Sequence, residues 1–125
     1  MQGRRSDESP GPDHPITLTP CPTRIRVLHD GHPVADTEAA IRLQEASYPP
    51  VYYIPRDDVV MGFFGKTRRV SECPYKGTAS YYSLNIGGDV IEDAAWSYET
   101  PYPAMLPIEG YLAFYPDKVT IEEIG

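Results

Sequence analysis

The fold class is decided by residues 78–98, TASYYSLNIGGDVIEDAAWSY. Apolar and polar residues alternate on both sides of Gly87-Gly88, a pattern typical of two antiparallel strands joined by a two-residue loop. Counting outward from that loop places Tyr82 opposite Asp93, where the tyrosine hydroxyl is within reach of the carboxylate. The same counting places Trp96 opposite Ala79. We therefore predict a central β-hairpin with aromatic side chains along both strands.

The rest of the chain continues the β pattern, because turn signals recur every ~8–12 residues and no long helical period is present. The segment 38–46 fits either a helix or a strand, and its short length and β-like surroundings favour a strand. An Asp30-Gly31 pair predicts a second hairpin turn. Helical structure is expected only as single turns, one at Ala104–Leu106 and one at residues 55–58, where a plain turn is the alternative. The other predicted strands cover residues 16–22, 24–29, 34–37, 59–64, 110–115 and 118–123.

Three prolines shape the segment Tyr48–Pro55, whose sequence is YPPVYYIP. Proline cannot donate a backbone hydrogen bond, so this segment fits neither a helix nor a central strand. We predict an extended, polyproline-like conformation that presents tyrosines and covers an end or an edge of a sheet.

Length and charge exclude several classes of protein. The 125 residues correspond to one domain. Residues 1–13 contain no apolar residue after Met1, which predicts a disordered tail before a single β domain over 14–125. The net charge of −7 argues against a binder of nucleic acid or anionic lipid. Because the longest apolar stretch, Val59–Gly65, is too short to span a bilayer and no signal peptide is recognisable, we expect a soluble cytoplasmic protein.

The turn Cys73–Gly77, of sequence CPYKG, carries the strongest candidate for chemistry. A tight turn that ends in glycine holds its backbone close to a neighbour, and the ammonium of Lys76 can hold an anion there. The alternative is a surface lysine that pairs with Glu99 across the end of the hairpin. Cys73 beside Lys76 is a candidate nucleophile. A buried structural cysteine is the alternative, since no histidine lies near it in sequence.

No metal or cofactor site is predicted. His29 and His32 flank the first hairpin turn near Asp36, but two imidazoles form an incomplete ligand set. Cys21 and Cys73 cannot by themselves build a four-cysteine zinc site or a disulfide framework. The basic cluster of Lys66, Arg68 and Arg69 is interpreted as a solvated loop.

Several blocks of sequence together resemble one bacterial family, the domain of unknown function 427. They are VADT (34–37), PVYYIP followed by DV (50–55 and 58–59), CPYKG with ASY (73–77 and 79–81), AWSY (95–98) and GYLAFY (110–115). The resemblance covers about residues 14–123. It implies a complex of small coiled antiparallel β-sheets of the class called Mss-four-like, in which zinc-binding members use paired cysteines.

That family also carries the label nucleotidyltransferase-like. This chemistry typically needs a Gly-Ser turn followed by an Asp-x-Asp or Asp-x-Glu pair that holds magnesium. The chain contains no Gly-Ser dipeptide and no Cys-x-x-Cys motif. The resemblance therefore supports the fold more than any activity.

We consider three functions, and the ligand and the oligomeric state stay open in each. The first is a small-molecule-binding domain with a tyrosine-lined pocket, because tyrosine offers a flat apolar face and a hydroxyl together. The candidate ligand-binding residues are Lys76 as the anion contact, with Tyr53, Tyr75, Tyr98, Tyr111, Arg56 and Trp96. The second is a small enzyme that uses Lys76 and Cys73, with Asp93 or Glu109 as acid or base. The third is a structural or partner-binding domain without a pocket.

Overall fold

The computed structural model describes residues 14–124, so the predicted disordered tail over 1–13 lies outside the described residues. The described chain consists mainly of β-strands with three short 3-10 helices, at Arg56–Asp58, Met61–Phe63 and Pro103–Ile108. The strands are β1 (Ile16–Cys21), β2 (Arg24–His29), β3 (His32–Thr37), β4 (Ala40–Glu45), β5 (Val51–Tyr53), β6 (Phe64–Cys73), β7 (Gly77–Ile86), β8 (Asp89–Ser97), β9 (Leu112–Phe114) and β10 (Thr120–Ile124).

The strands form three small antiparallel sheets, which confirms the predicted fold class. Their strand orders are β1-β4-β5, β10-β2-β3 and β6-β7-β8-β9. Backbone hydrogen bonds in both directions between Ile54 and Leu112 join the first sheet to the third. The pair Ala35 and Val59 connects the second sheet to the segment before β6. The sheets are therefore linked by single bridges rather than by long shared strands.

Both predicted hairpin turns are present. Asp30 and Gly31 have φ values of 49° and 79°, and Gly87 and Gly88 have φ values of 58° and 86°. Positive φ at both central residues is the geometry of the turn that matches the twist of the flanking strands. Segment 38–46 contributes strand β4, as its length and surroundings indicate.

The predicted register of the central hairpin is wrong beyond its first few pairs. Leu84 lies opposite Ile91 as expected, but the next pair is Tyr82 with Ala95 instead of Asp93. Strand β8 bulges between these pairs: Asp93 has a φ of 50° and its amide donates to the Ser83 hydroxyl at 3.1 Å. By the same shift, Trp96 lies opposite Tyr81 and not Ala79.

The apolar run 59–64 is not the buried strand that its composition predicts. Residues Met61–Phe63 form a 3-10 helix, and β6 begins only at Phe64. The amide of Val60 donates to Val34 in β3, while the amide of Phe63 turns back to Val60. Gly62 and this early pairing to β3 bend the chain before a strand can form.

Two further segments form β-strands where the sequence predicts a loop or an unpaired extended chain. Lys66, Arg68 and Arg69 belong to the edge strand β6 and not to a loop. Within the segment predicted to be polyproline-like, Val51–Tyr53 forms strand β5 at the edge of the first sheet. Only four residues lie between Pro50 and Pro55, and the last of them, Ile54, pairs with Leu112 instead of β4, which is why this strand is short and lies at an edge.

The core consists of two clusters of buried side chains. One contains Ile25, Val27, Val34, Ile54, Leu84 and Leu112. The other contains Leu43, Tyr53, Tyr81, Tyr98, Met105 and Ile108. Over residues 14–124, none of the helices has the length and apolar character needed to cross a lipid bilayer.

Candidate functional site: an aromatic cavity between the sheets

A cavity of about 630 Å³ lies between the three sheets. Its size falls within the ~300–1,000 Å³ that is usual for small-molecule sites. Both core clusters contribute to its wall, with Ile25, Val27 and Ile54 from one and Leu43 from the other. Aromatic side chains form much of the rest, among them Tyr52, Tyr53, Tyr81, Trp96, Tyr98 and Tyr115.

The aromatic wall is held by contacts between its own members. Trp96 meets the Tyr53 ring edge-on, with centroids 6.3 Å apart, and donates its indole N–H to the Tyr53 hydroxyl at 3.2 Å. The Tyr115 ring lies 4.5 Å from Trp96 on β8. Fully buried Ala94 and Ala95 precede Trp96 and leave room for these rings. The wall is therefore preformed in the free chain.

Lys76 lines the same cavity and is only 8% exposed. It lies in the β6–β7 turn, where Gly77 has a φ of 119° and an added Cβ would meet the Pro101 backbone at 3.4 Å. The amide of Tyr102 donates to the Lys76 carbonyl at 3.1 Å. This close backbone packing fixes the turn and directs a lysine side chain into the molecule.

The partner of Lys76 is Glu45 at the end of β4. The ammonium lies 2.5 Å from Oε1 of Glu45, and His14 approaches Oε2 at 2.7 Å. The His14 ring stacks on Tyr75, with centroids 4.2 Å apart. Burial alone would raise the pKa of the Glu45 carboxyl, but the hydrogen bonds from Lys76 and His14 outweigh it and lower the pKa. Glu45 is therefore a carboxylate at neutral pH.

Glu99, which the sequence suggests as the partner of a surface Lys76, belongs to a different cluster of charged side chains. Its carboxylate contacts Lys66 at 2.7 Å and Arg56 at 3.1 Å, and it also accepts a hydrogen bond from Tyr82. The pairing of Lys76 with Glu99 is therefore wrong, because shorter contacts occupy both residues.

The structure brings together four of the seven residues that the sequence singles out for a site. Lys76, Tyr53, Tyr98 and Trp96 line the cavity. The other three lie outside its wall: Tyr75 is stacked on His14, Arg56 donates to the Gly110 carbonyl and to Glu99, and Tyr111 packs against the second core cluster.

The residues named for catalysis do not converge on Lys76. Asp93 accepts a hydrogen bond from Thr67 at 2.9 Å and lies 3.7 Å from Arg69. Glu109 is exposed on the segment before β9. Cys73 packs against the second cluster without entering the cavity wall.

Sequence reasoning missed Glu45, which is the closest partner of Lys76. Its only signal is the alternation of Ile41, Leu43 and Glu45 along β4, which places Glu45 on the cavity side at the end of the strand. The turn with Lys76 is 31 residues further along the chain. No local pattern connects two positions at that separation.

Around the first hairpin turn, the ligand atoms of His29, Asp30 and Asp89 lie within 4.8 Å of one another. The contact between His29 and Asp89, at 2.9 Å, is an ordinary imidazole–carboxylate pair. The other two residues considered there are not part of this group. Asp36 instead makes a bidentate pair with Arg24 at 2.8 and 2.6 Å.

The chain belongs to the family described as a domain of unknown function, DUF427, whose model matches residues 17–125. This match confirms the resemblance that the sequence blocks indicate. No curated protein matches the chain. The family description names no reaction, so any statement about function depends on the cavity and its residues.

Proposed function

We propose that this chain is a small-molecule-binding β domain whose ligand occupies the aromatic cavity. The observation that carries the proposal is a preformed cavity of about 630 Å³ with a buried lysine in its wall. The cavity opens to solvent beside the exposed residues Tyr48, Pro49 and Pro50, so a ligand can enter it. A concave space of this size, lined by rings and one cation, is the usual form of a ligand site.

Lys76 is the contact for an anionic or acceptor group of the ligand. An ammonium has three donor hydrogens, and Glu45 takes one of them. The remaining hydrogens are available to an acceptor that enters the cavity. Tyr53, Tyr98 and Trp96 supply flat surfaces for the body of the ligand.

Binding is favoured over catalysis by the protonation state of Glu45. A general base works best when its pKa is raised towards the working pH. The pKa of Glu45 is lowered by its partners, so this carboxylate is a weaker proton acceptor than an ordinary glutamate. The enzyme that uses Lys76 and Cys73 remains the alternative proposal, and a domain without a ligand is the third.

Trp96 provides a direct test, since it is the single tryptophan of the chain and lines the cavity. Its fluorescence and the melting temperature are measured while nucleotides, sugars and organic acids are titrated. A ligand of the cavity is expected to change both signals in a saturable way. Val51→Phe places a ring in the cavity wall and is expected to abolish the response.

The matched control is Val70→Phe, the same substitution at an exposed position of strand β6 outside the cavity. It is expected to bind like the unaltered protein. A ligand response that survives Val51→Phe would place binding elsewhere. The absence of any response across the panel would leave the domain without a ligand as the better explanation.

The proposal extends to location and partners. A net charge of −7 supports a protein that works without nucleic acid or anionic lipid. We propose a cytoplasmic protein of bacteria, folded as one domain over 14–125 in the Mss-four-like manner. Its partner is an unidentified small molecule.

A further inference from the structure

The inference concerns the chemical class of the ligand and rests on the proposed binding function. It begins with Tyr98, which lines the cavity and is only 6% exposed. No hydrogen bond joins its hydroxyl to a residue between 14 and 124, but the oxygen is not sealed from solvent: over these residues the one fully enclosed side-chain atom left without a partner is Nε of Arg26. The Tyr98 hydroxyl therefore opens onto the cavity, with a hydrogen to donate. A ligand in the cavity can accept that hydrogen in place of water.

Tyr53 adds a second hydroxyl with a proton to donate. Its oxygen accepts the indole N–H of Trp96 at 3.2 Å, so its own O–H is directed to another acceptor. Burial raises the pKa of both Tyr53 and Tyr98, which keeps both hydroxyls protonated at neutral pH. The Glu45 carboxylate lies close enough to both hydroxyls to contribute to the raised pKa of each, and Tyr53 contributes to that of Tyr98.

The polar part of the cavity is consequently rich in donors and poor in free acceptors. Lys76 and the two tyrosine hydroxyls have hydrogens to give. The two oxygens of Glu45 are engaged by Lys76 and His14. A complementary ligand group carries acceptor oxygens and few hydrogens, as a carboxylate does.

The charges in the wall limit how much charge the ligand can bring. Lys76 is the one cation and Glu45 the one anion among the lining residues that the structure describes. Glu45 already neutralises Lys76, so a negative charge on the ligand depends on hydrogen bonds for its compensation. The Lys76 ammonium and two tyrosine hydroxyls can together compensate one negative charge through charge-assisted hydrogen bonds, but not the several charges of a nucleoside triphosphate.

The remainder of the wall is apolar. Ile25, Val27, Ile54 and Phe114 line it, and each is at most 3% exposed. A sugar or another molecule with polar groups all round would lose its hydration here without compensation. From these contacts we propose that the cavity binds an apolar monocarboxylic acid, with its carboxylate at Tyr98, Tyr53 and Lys76 and its hydrocarbon or aryl body against the apolar wall.

The experiment compares matched probes that differ only in the head group. Trp96 fluorescence is titrated with 4-phenylbutyrate, 4-phenylbutanol and 4-phenylbutylamine, and then with decanoate, decanol and ATP. The carboxylates are expected to bind at least about 10-fold more tightly than the alcohols, since a hydrogen bond to a charged group is worth about 1.5–3 kcal/mol. The amine and ATP are expected not to bind.

Tyr98→Phe removes only the unpaired hydroxyl and keeps the ring. This variant is expected to weaken 4-phenylbutyrate about 10-fold while changing 4-phenylbutanol by less than about three-fold. The control is Tyr111→Phe, which removes a hydroxyl outside the cavity wall and is expected to change neither. Circular dichroism checks that both variants keep the β fold.

The outcomes separate the ligand class from the proposed function. Equal affinity for carboxylate and alcohol, or no effect of Tyr98→Phe, would overturn the monocarboxylate assignment while binding in the cavity stands. If the carboxylates do not bind, but another compound binds and loses its binding in Val51→Phe, the monocarboxylate assignment is also overturned while binding in the cavity stands. If no compound binds at all, both the assignment and the binding function fail.

Discussion

At the scale of single residues, the pair of Lys76 and Glu45 is the most consequential feature of the site. A buried lysine is costly unless a partner and further hydrogen bonds compensate for lost hydration. Glu45 supplies that partner, and His14 satisfies its second oxygen. Removing only one member leaves the other as a poorly hydrated charge.

Lys76→Met is therefore expected to lower the free energy of unfolding by about 3 kcal/mol, the range found when one partner of a buried pair is removed. Urea denaturation measures the change. The matched control is Lys66→Met, whose ammonium is exposed and pairs with Glu99. Its effect on stability should be much smaller, as for other exposed pairs. Equal effects in the two variants would contradict a stabilising role for the pair.

The double variant Lys76→Met/Glu45→Leu removes both charges at once. Apolar replacement of a whole buried pair is often neutral or stabilising. We expect this variant to recover most of the stability that Lys76→Met loses. Recovery smaller than about 1 kcal/mol would contradict the uncompensated Glu45 charge as the cause of the loss, because methionine keeps the apolar stem of lysine in both variants.

The lowered pKa of Glu45 also predicts how stability depends on pH. A carboxyl whose pKa is lower in the folded state stabilises the fold above its unfolded pKa, which is about 4.5. That contribution is lost as the pH falls through the lower, folded pKa. Chemical denaturation between pH 7 and pH 3 is expected to show a steeper loss in the unaltered protein than in Glu45→Gln. Parallel curves would contradict the assigned direction.

At the scale of elements, the β6–β7 turn depends on Gly77. Its φ of 119° is a conformation that side chains with a Cβ rarely adopt, and the added atom would contact the Pro101 backbone. Gly77→Ala is expected to cost about 1–3 kcal/mol and to weaken ligand binding by displacing Lys76.

Gly62→Ala is the matched control, because Gly62 lies in a 3-10 helix with nothing within 4 Å of an added Cβ. It is expected to leave binding unchanged and to be neutral or to stabilise by about 0.4–1 kcal/mol. Similar losses in the two glycine variants would refute the special role of the Gly77 turn.

The hairpins could be predicted from sequence because their signals are local. Asp30-Gly31 and Gly87-Gly88 supply two consecutive residues with positive φ, and alternating residues flank both. The bulge at Asp93 could not be predicted, since aspartate adopts positive φ only when its surroundings favour it. Here the Ser83 hydroxyl accepts its amide and Thr67 donates to its carboxylate, contacts that exist only after the strands pair.

At the scale of the whole molecule, the site could be predicted only in part. The central hairpin brings Trp96 and Tyr98 back to the start of β7, beside Lys76. Counting residues outward from its turn predicts this return. Tyr53 and Glu45 come from another sheet, which is joined to the third by the bridge between Ile54 and Leu112. The packing of separate sheets leaves no periodic trace in the sequence, so the second half of the wall became visible only in three dimensions.

Ligand binding and stability place opposite demands on the residues that line the cavity. An empty apolar void forfeits packing contacts that a filled core would have. Val51→Phe fills part of it and is expected to stabilise the free protein by about 0.5–2 kcal/mol, as cavity-filling substitutions commonly do. The same variant should lose the gain of about 2.7 kcal/mol that a ligand at 100 times its Kd gives the unaltered protein.

Thermal and urea denaturation measure both the stability of the free protein and its gain from ligand. Each is carried out with and without the ligand found in the fluorescence screen. Val70→Phe controls for the larger side chain, since Val70 is 59% exposed. It is expected to change neither the stability of the free protein nor the gain from ligand. If Val51→Phe instead destabilises the free protein, the space beside β5 is too small to hold the added ring. A free form that lacks these packing contacts and a bound form that gains contacts from the ligand are what the proposed function requires.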